Sequence, residues 1–295
     1  MKRYWEILKR QKRPVKFLIS RVLMRMGISS LFLIGREGVT LRFYPTSLSA
    51  QLWIDPMDRR GDDDFLTSYL RRGETVLDVG ANVGSLAVLA ASVVGPEGRV
   101  YAIEPHPRTY SYLKKNILLN RFSNVATFNV ALGDREQFVM FSDCRTDDQN
   151  KVSGESGLLV SMKKLDDLGI QDRQISLLKI DVEGYEKFVI EGAAETLKRV
   201  SCIYFESGEE QNLRNGYSTR DILRLLGTAG FAVYRSAGER RIETISENYG
   251  APRPENWIAV RSIEDFLERS RFTLIEAYDG QAETRSEAAR VIPAL

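Results

Sequence analysis

The chain has 295 residues, of which 43% are hydrophobic, enough for one sizeable α/β core with appendages. Lys and Arg (42) nearly balance Asp and Glu (40), yet the first 25 residues carry nine basic side chains against the single acid Glu6. Two cysteines, Cys144 and Cys202, and one histidine exclude a disulfide framework and a zinc cluster, and they predict a reducing, cytoplasmic environment.

The basic N-terminal segment contains the apolar run "FLISRVLMRMG" (17–27), which Arg21 and Arg25 interrupt. These charges predict neither a signal peptide nor a membrane-spanning helix. A helix over 15–26 would place on one face the apolar side chains of Val15, Leu18, Ile19, Val22, Leu23 and Met26. That face could pack on the rest of the protein, or it could contact an anionic membrane surface as a peripheral protein does. The body carries no RNP-like aromatic motif, zinc finger or basic stripe, so nucleic acid is not an expected partner.

The central part of the chain alternates between strands and helices. Residues 39–45 and 50–55 are predicted to form a hairpin cap, and a helix follows near 62–71. From there we predict strands at 75–79, 99–104, 125–129, 175–181, 200–206, 231–235 and 256–261, and helices at 83–94, 107–120, 185–198 and 218–229. This alternation is typical of an α/β fold with a mostly parallel, seven-stranded sheet and helices on both faces.

Residues 133–170 interrupt the alternation and are predicted to form a small strand insertion and a loop. The pattern therefore predicts three parts: an N-terminal basic helix and strand cap (1–72), a central α/β domain (73–262) and a C-terminal tail with weak signals (263–295).

The stretch "TVLDVGANVGSLAVL" (75–89) joins a buried strand to a helix through a glycine-containing turn. Gly80 and Gly84 let the backbone approach a ligand, and Asn82 is expected to cap the helix. The third glycine of a dinucleotide turn, G-x-G-x-x-G, is missing, which disfavours a nicotinamide oxidoreductase. Asp78 also puts a carboxylate at the strand end, which suits a cationic amino group better than a diphosphate. S-adenosylmethionine carries such a group.

The next strand, "RVYAIEPHP" (99–107), ends on Glu104. An acid at this position accepts hydrogen bonds from ribose hydroxyls in dinucleotide and S-adenosyl folds alike, so it does not separate the two. His106, the single histidine, is expected to stack on or hydrogen-bond the nucleoside rather than act as a general base. Without a second histidine or a G-x-S-x-G elbow, a Ser-His-Asp hydrolase is excluded.

The segment "LLKIDVEGYEKFVIEGA" (177–193) contains a second cluster of charged residues. Strand alternation projects Lys179, Asp181 and Glu183 to one side, and Gly184 ends the strand. Charges at the end of an apolar strand are costly unless they meet a ligand or each other. Glu206 ends the following strand, so it is expected to lie nearby.

These motifs, together with "NVALGD" (129–134), "KKLDDL" (163–168) and "IYFE" (203–206), resemble the FkbM family of S-adenosylmethionine-dependent methyltransferases over residues 39–261. The resemblance implies a class I, Rossmann-like methyltransferase fold and methylation of a hydroxyl on a sugar, a glycan or another secondary metabolite. It also implies a set of cofactor-binding residues, namely Asp78, Gly80, Asn82, Gly84, Glu104, His106, Asn129, Ala131 and Asp181.

Methyl transfer to a hydroxyl needs alignment and a group that takes the proton. The catalytic candidates are Lys179, Asp181, Glu183 and Glu206; Asp181 is preferred as base, with anchoring of the methionine amine as its alternative role. Asp181 and Glu206 could instead hold Mg²⁺ that binds two substrate oxygens, although carboxylates at adjacent strand ends more often form a polar pocket. A methyltransferase-like protein that binds without catalysis is the remaining alternative.

Overall fold

The computed structural model describes residues 12–57, 59–142, 152–153, 157–246 and 249–275. The helices are α1 (Pro14–Arg25), α2 (Ser47–Ile54), α3 (Arg60–Tyr69), α4 (Ser85–Val94), α5 (Pro107–Leu119), α6 (Glu186–Glu191), α7 (Ala194–Leu197), α8 (Glu209–Arg214), α9 (Thr219–Thr228) and α10 (Ile263–Ser270). The strands are β1 (Leu33–Arg36), β2 (Val39–Arg42), β3 (Thr75–Val79), β4 (Arg99–Ile103), β5 (Val125–Phe128), β6 (Ala131–Leu132), β7 (Gln137–Phe141), β8 (Val152–Ser153), β9 (Leu158–Lys163), β10 (Ile175–Ile180), β11 (Val200–Ser207), β12 (Ala232–Ser236), β13 (Arg241–Thr244), β14 (Glu255–Val260) and β15 (Thr273–Ile275).

The central sheet has nine strands in the order β15-β13-β12-β14-β11-β10-β3-β4-β5. Strands β5, β4, β3, β10 and β11 are parallel, whereas β14 lies antiparallel between β11 and β12. All seven predicted strands are present, and β13 and β15 extend the sheet beyond β12. The predicted mostly parallel α/β fold of the Rossmann-like class is therefore confirmed.

Helices cover both faces of this sheet because the side chains of its strands alternate. In β3, Val76 packs in a cluster with α3 and α4, whereas Leu77 and Val79 pack in a second cluster with α6 and α9. Because β3, β4 and β10 are parallel, their carboxyl ends meet at one edge of the sheet, which is where open α/β sheets bind their ligands.

The predicted strand at 50–55 is wrong, because these residues belong to α2 and the following turn. Thr46 caps that helix by accepting a hydrogen bond from the Ser49 N–H at 3.0 Å. The hairpin does exist, but it is formed by β1 and β2, and its turn uses Glu37 and Gly38 at positive φ.

The small insertion predicted between 133 and 170 is confirmed as a four-stranded sheet, ordered β6-β9-β7-β8. Cys144 lies outside the described residues, whereas Cys202 is a buried free thiol. The helix predicted over 185–198 is divided into α6 and α7 at Gly192, where a Cβ would lie 2.0 Å from the Gly133 carbonyl oxygen.

The predicted boundary after residue 262 does not coincide with the edge of the packed structure. Phe266 of α10 is buried, with its ring centroid 5.5 Å from that of Tyr69 and 5.6 Å from that of Phe272. β15 then pairs with β13 in the central sheet. Likewise, Phe65 of α3 belongs to the main core although it lies within the predicted N-terminal part. One core therefore extends across both predicted boundaries, and residues 276–295 lie outside the described part of the chain.

The N-terminal helix α1 forms as predicted, but it packs through a different face. Phe17, Ser20 and Leu23 are buried, and only Leu23 belongs to the face that the sequence favoured for packing. The other apolar side chains of that predicted face are exposed: Val15, Leu18, Ile19, Val22 and Met26.

Candidate active site

A cavity lies at the carboxyl ends of β3, β4 and β10. One part of its wall is apolar and includes Ile103, Val130, Leu132 and Phe141, which suits a nucleobase. The predicted cofactor-binding residues that line the cavity are Asp78, Gly80, Asn82, Glu104, Ala131 and Asp181. The cavity is therefore the candidate cofactor site.

Asp78 and Lys179 form a buried ion pair in its floor. The Lys179 Nζ lies 3.0 Å from Asp78 Oδ1 and donates a hydrogen bond to the Gly80 carbonyl oxygen at 2.9 Å. Burial alone would lower the pKa of Lys179, but the carboxylates of Asp78 and Asp181 outweigh it and raise the pKa. The amine therefore stays protonated at neutral pH.

The second oxygen of Asp78 indicates which kind of ligand group fits the cavity. Asp78 Oδ2 is buried and finds no hydrogen-bond donor among the described residues. A buried acceptor without a donor is costly, whereas an amino group of a ligand in the cavity would satisfy it. The residues present thus fit the cationic methionine end of S-adenosylmethionine.

Gly80 brings the turn after β3 against the end of β10. Its φ is +76°, and a Cβ there would lie 1.9 Å from the Asp181 carbonyl oxygen. The N–H groups of Gly80 and Ala81 both donate to the Ile103 carbonyl oxygen. Only glycine fits this position, since a side chain would collide with backbone rather than with a movable side chain.

Glu104 connects the turn to the end of β4. Its Oε2 accepts a hydrogen bond from the Asn82 N–H at 3.0 Å, and its Oε1 accepts one from the His106 N–H at 2.9 Å. Asn82 does not cap α4 as predicted; its Oδ1 accepts from the Val83 N–H, and the helix begins after Gly84. The carboxylate of Glu104 is thus fixed at the cavity wall by backbone groups.

Gly84, His106 and Asn129 are not among the residues that line the cavity. Gly84 packs against Leu113, and a Cβ there would lie 2.5 Å from the Leu113 Cδ1. His106 is buried, and its ring caps α5 through Nδ1, which accepts from the Arg108 N–H, so its contact with the nucleoside stays a prediction. Asn129 Nδ2 donates to the Glu104 carbonyl oxygen at 2.8 Å. The side chains of His106 and Asn129 thus hold the turn after β4, which carries Glu104.

A second cavity adjoins the first at the ends of β10 and β11. It is lined by Asp62, Tyr204, Glu206 and Asn256, among others. Both cavities contain Arg59, Leu86, Lys179 and Asp181 in their walls. Two ligands bound side by side would therefore meet at Asp181.

Arg59 is the main functional candidate that the sequence analysis missed. It has a left-handed backbone (φ 62°), and its Nη1 lies 4.0 Å from Asp181 Oδ2. Burial would lower its pKa, but Asp181, Asp62 and Glu206 together raise it. In the sequence, only the high density of charged residues in "DPMDRRGDDD" (55–64) drew notice to this segment, and it did not indicate a role for Arg59.

Glu206 and Glu183 differ in their surroundings. The pKa of Glu206 is raised by burial and by the nearby Asp181, although Arg59 opposes the shift. Glu183 lies in the turn after β10 with φ 55°, lines the first cavity and accepts a hydrogen bond from Gln211 Nε2 at 3.2 Å. Glu206 is thus the better placed of the two for the second cavity.

The magnesium alternative does not fit these residues. Within the described part of the chain, no three metal-ligating side chains come together. Asp181 and Glu206 lie near the guanidinium of Arg59, which offsets part of their negative charge. The pair therefore forms a polar pocket.

Glu186 stabilises the "DVEG" turn (181–184) through hydrogen bonds to its backbone. Its Oε1 accepts the N–H groups of Val182 and Gly184, and Tyr217 Oη lies 3.3 Å from its Oε2. Burial outweighs these hydrogen bonds and raises the pKa of Glu186 to about 7.

Glu186→Gln is expected to remove a pH dependence of stability. Because the folded-state pKa is raised from 4.5 to about 7, the stabilising contribution is complete below 4.5 and is lost as pH rises to about 7. The wild-type free energy of unfolding should fall over this window by about 3 kcal/mol relative to the variant. Urea unfolding below and above the window measures this difference. Glu195→Gln, an exposed control, should keep the wild-type dependence, and a Glu186→Gln profile parallel to wild type would contradict the assignment.

Comparison with known proteins identifies related chains. A family model described as the methyltransferase FkbM domain matches residues 78–240. The hexuronic acid methyltransferase AglP of Haloferax volcanii is 26% identical over 202 residues, which cover 65% of this chain and 78% of AglP. The 2-O-methyltransferase NoeI of Sinorhizobium fredii is 27% identical over 186 residues, which cover 55% of this chain and 74% of NoeI. The solved structure of an S-adenosylmethionine-dependent methyltransferase of Aquifex aeolicus is 17% identical, and the match covers 70% of this chain and 87% of that one with a TM-score of 0.39.

Proposed function

Because this chain belongs to the FkbM methyltransferase family, we propose that it transfers the methyl group of S-adenosylmethionine to a hydroxyl oxygen of a sugar or glycan. Membership of the family establishes that the protein is an S-adenosylmethionine-dependent methyltransferase. What we propose is the class of the acceptor. Two relatives support this class, since one is named for hexuronic acid and the other for a 2-O position.

The proposal rests on the wall that the cofactor cavity shares with the second cavity. The first cavity offers an apolar wall and the acids Asp78 and Glu104, which suit the nucleoside and the amino group of the cofactor. The second cavity is polar and opens beside Asp181. Asp181 is therefore available to both the cofactor and the acceptor.

In the cofactor cavity, we propose that Asp78 Oδ2 accepts a hydrogen bond from the amino group and that Glu104 accepts from the ribose hydroxyls. Gly80 allows the turn after β3 to approach the amino group, and Ala131 lines the part of the cavity that we assign to the nucleobase. Lys179 holds Asp78 in place as a fixed cation. Since the raised pKa keeps Lys179 protonated, we assign it no role as base.

In the acceptor cavity, the polar side chains suit a ligand rich in hydroxyls. Asp62 Oδ1 accepts hydrogen bonds from Tyr204 Oη at 2.6 Å and from Asn256 Nδ2 at 3.1 Å, so its orientation is fixed. The acidic groups there, including Asp181 and Glu206, offer acceptors to sugar hydroxyls, and Arg59 limits their mutual repulsion.

The reaction needs little covalent chemistry from the protein. The sulfonium of the bound cofactor supplies an activated methyl group, so the protein must align the acceptor and exclude water. The acceptor hydroxyl must lose its proton, and we propose that Asp181 accepts it, with Glu206 as the second candidate. Anchoring of the methionine amine stays the alternative role of Asp181.

The test is methyl transfer to defined acceptors. The full chain is expected to bind S-adenosylmethionine in calorimetry and to methylate glycans that carry free hydroxyls, with hexuronic acids tested first; mass spectrometry and NMR would identify the methylated oxygen. Cofactor binding without transfer to any hydroxylated acceptor would favour the non-catalytic alternative. Transfer to a nitrogen or a carboxylate would overturn the proposed acceptor class.

We also propose that the protein works in the cytoplasm. The support is its sparse cysteine content and the buried free thiol of Cys202, both of which suit a reducing compartment.

A further inference from the structure

Helix α1 carries more apolar surface than its packing uses. Its inner face, with Phe17 and Leu23, is buried against the rest of the protein. A second apolar stripe on its outer side consists of Val15, Leu18, Ile19, Val22 and Met26, and we call it the outer stripe. Val15 is 69% exposed, Val22 55% and Met26 64%. Their spacing of three and four residues places all five on one side of the helix.

The apolar surface continues beyond the end of the helix. Leu31 is 74% exposed and Leu33 is 52% exposed, although Ile34 next to them is buried. No described residue covers the outer stripe. Contiguous exposed apolar side chains of this kind mark interaction sites rather than ordinary surface.

The segment of the chain that carries the outer stripe has charges of one sign. No Asp or Glu occurs between Glu6 and Glu37, whereas this interval contains eight Lys and Arg residues. Arg21 and Arg25 are exposed and lie along one side of the stripe, one helical turn apart. Other cations of this interval are used by the protein itself, as Arg36 pairs with buried Asp63 at 2.6 Å.

We propose that the outer stripe docks α1 onto the anionic surface of a lipid bilayer. The apolar side chains would enter the boundary between headgroups and acyl chains, and Arg21 and Arg25 would contact lipid phosphates. An exposed apolar stripe bordered by cations is complementary to that surface in both hydrophobicity and charge. The docking is peripheral, since no helix of the described residues is long and apolar enough to span a bilayer.

The outer stripe lies close to the cofactor cavity. Helix α2 stands between them: Leu48 and Gln51 of α2 line the cavity, and the Trp53 carbonyl oxygen accepts a hydrogen bond from Lys16 Nζ at 3.4 Å. The Lys16 ammonium also lies 5.4 Å from the centre of the Trp53 ring. Docking would therefore leave α1 and α2 between the membrane and the active site, which suits an acceptor at that surface; only this last point rests on the proposed function.

Vesicle flotation tests the docking with the full-length chain. We expect the wild type to float with vesicles of phosphatidylcholine and phosphatidylglycerol and to stay in solution with phosphatidylcholine alone. Val15→Ser combined with Val22→Ser should weaken binding by about 10-fold or more, because apolar area no longer leaves water. Arg21→Gln combined with Arg25→Gln should weaken it by about 10-fold or more and reduce its salt dependence.

Two controls keep the result interpretable. Leu213→Ser on α8 and Arg224→Gln on α9 replace exposed residues elsewhere and should bind vesicles as the wild type does. All variants should retain cofactor affinity and transfer to a water-soluble acceptor, because the substituted side chains are exposed and lie outside both cavities.

Three outcomes would overturn the proposal: no binding of the wild type to anionic vesicles, equal binding to neutral and anionic vesicles, or wild-type binding by the Val15→Ser, Val22→Ser variant. A concentration-dependent dimer that this variant abolishes would instead assign the outer stripe to a second copy of the chain. Failure of methyl transfer in the wild type would contradict the proposed function and leave the vesicle result standing.

Discussion

Asp181→Asn is expected to preserve the fold and to lower the rate of methyl transfer by about 100-fold or more, the scale of losing one general base. Asp181 lies on the wall that both cavities share, and one quarter of its side chain is exposed. The amide keeps the size of the side chain but does not accept the proton of an acceptor hydroxyl. Lys179 keeps its ion pair with Asp78, so no buried cation loses its only partner. Single-turnover transfer from radiolabelled S-adenosylmethionine measures the rate.

Cofactor affinity then separates the two roles open to Asp181. If it acts as base, turnover falls and the Kd for S-adenosylmethionine is unchanged; if it anchors the methionine amine, affinity falls as well. Glu206→Gln is the matched comparison, because Glu206 lines the second cavity and burial raises its pKa. A larger loss in Glu206→Gln would assign the base to Glu206. Near-wild-type turnover by Asp181→Asn would remove Asp181 from the mechanism.

Asp78→Asn is expected to affect both stability and cofactor binding. The substitution leaves the Lys179 ammonium buried without its closest carboxylate, which should lower the free energy of unfolding by about 3–5 kcal/mol. It also removes the charged acceptor for the amino group, so affinity for S-adenosylmethionine should fall by about 10-fold or more. Urea unfolding and calorimetry measure the two effects.

A double variant distinguishes the two contributions of Asp78. Asp78→Asn combined with Lys179→Met removes both buried charges, and an uncharged pair of similar volume should recover much of the lost stability. Cofactor affinity should stay low, because the charged acceptor is still missing. A double variant that binds the cofactor as tightly as the wild type would refute the proposed role of Asp78.

The parts of the fold that the sequence predicted are those with one dominant local signal. The strand at 75–79 was predicted with its observed bounds, because an apolar run ends at a glycine turn. The helix over 47–54 was missed because the run "AQLWID" (50–55) is short and apolar and contains Trp and Ile, which favour strands, whereas the Thr46 cap starts a helix. α10 was missed because its partners, Phe65 and Tyr69, lie about 200 residues earlier in the chain.

The site shows a similar division. The shared position of Asp78, Glu104 and Asp181 at one cavity could be predicted because strand ends of a parallel sheet converge, which is a property of the topology; their roles toward the cofactor stay predictions. The role of His106 as a helix cap depends on where α5 begins, and the position of Arg59 depends on a loop whose conformation no local pattern indicates. For α1, the sequence singled out one apolar face and left open whether it packs or contacts a membrane; the helix instead packs through Phe17, Ser20 and Leu23, which the apolar pattern alone did not indicate.

The position of β14 has a consequence for synthesis on the ribosome. β11 and β12 do not pair with each other; along one edge, each pairs with β14, which follows both in the chain. While residues 255–260 are still in the exit tunnel, the edges of β11 and β12 are open, and the sheet cannot close. The nascent protein thus exposes two unpaired strand edges until residues 255–260 have left the tunnel. Its yield should depend on chaperones that protect such edges, and a fragment ending before β14 should aggregate rather than fold.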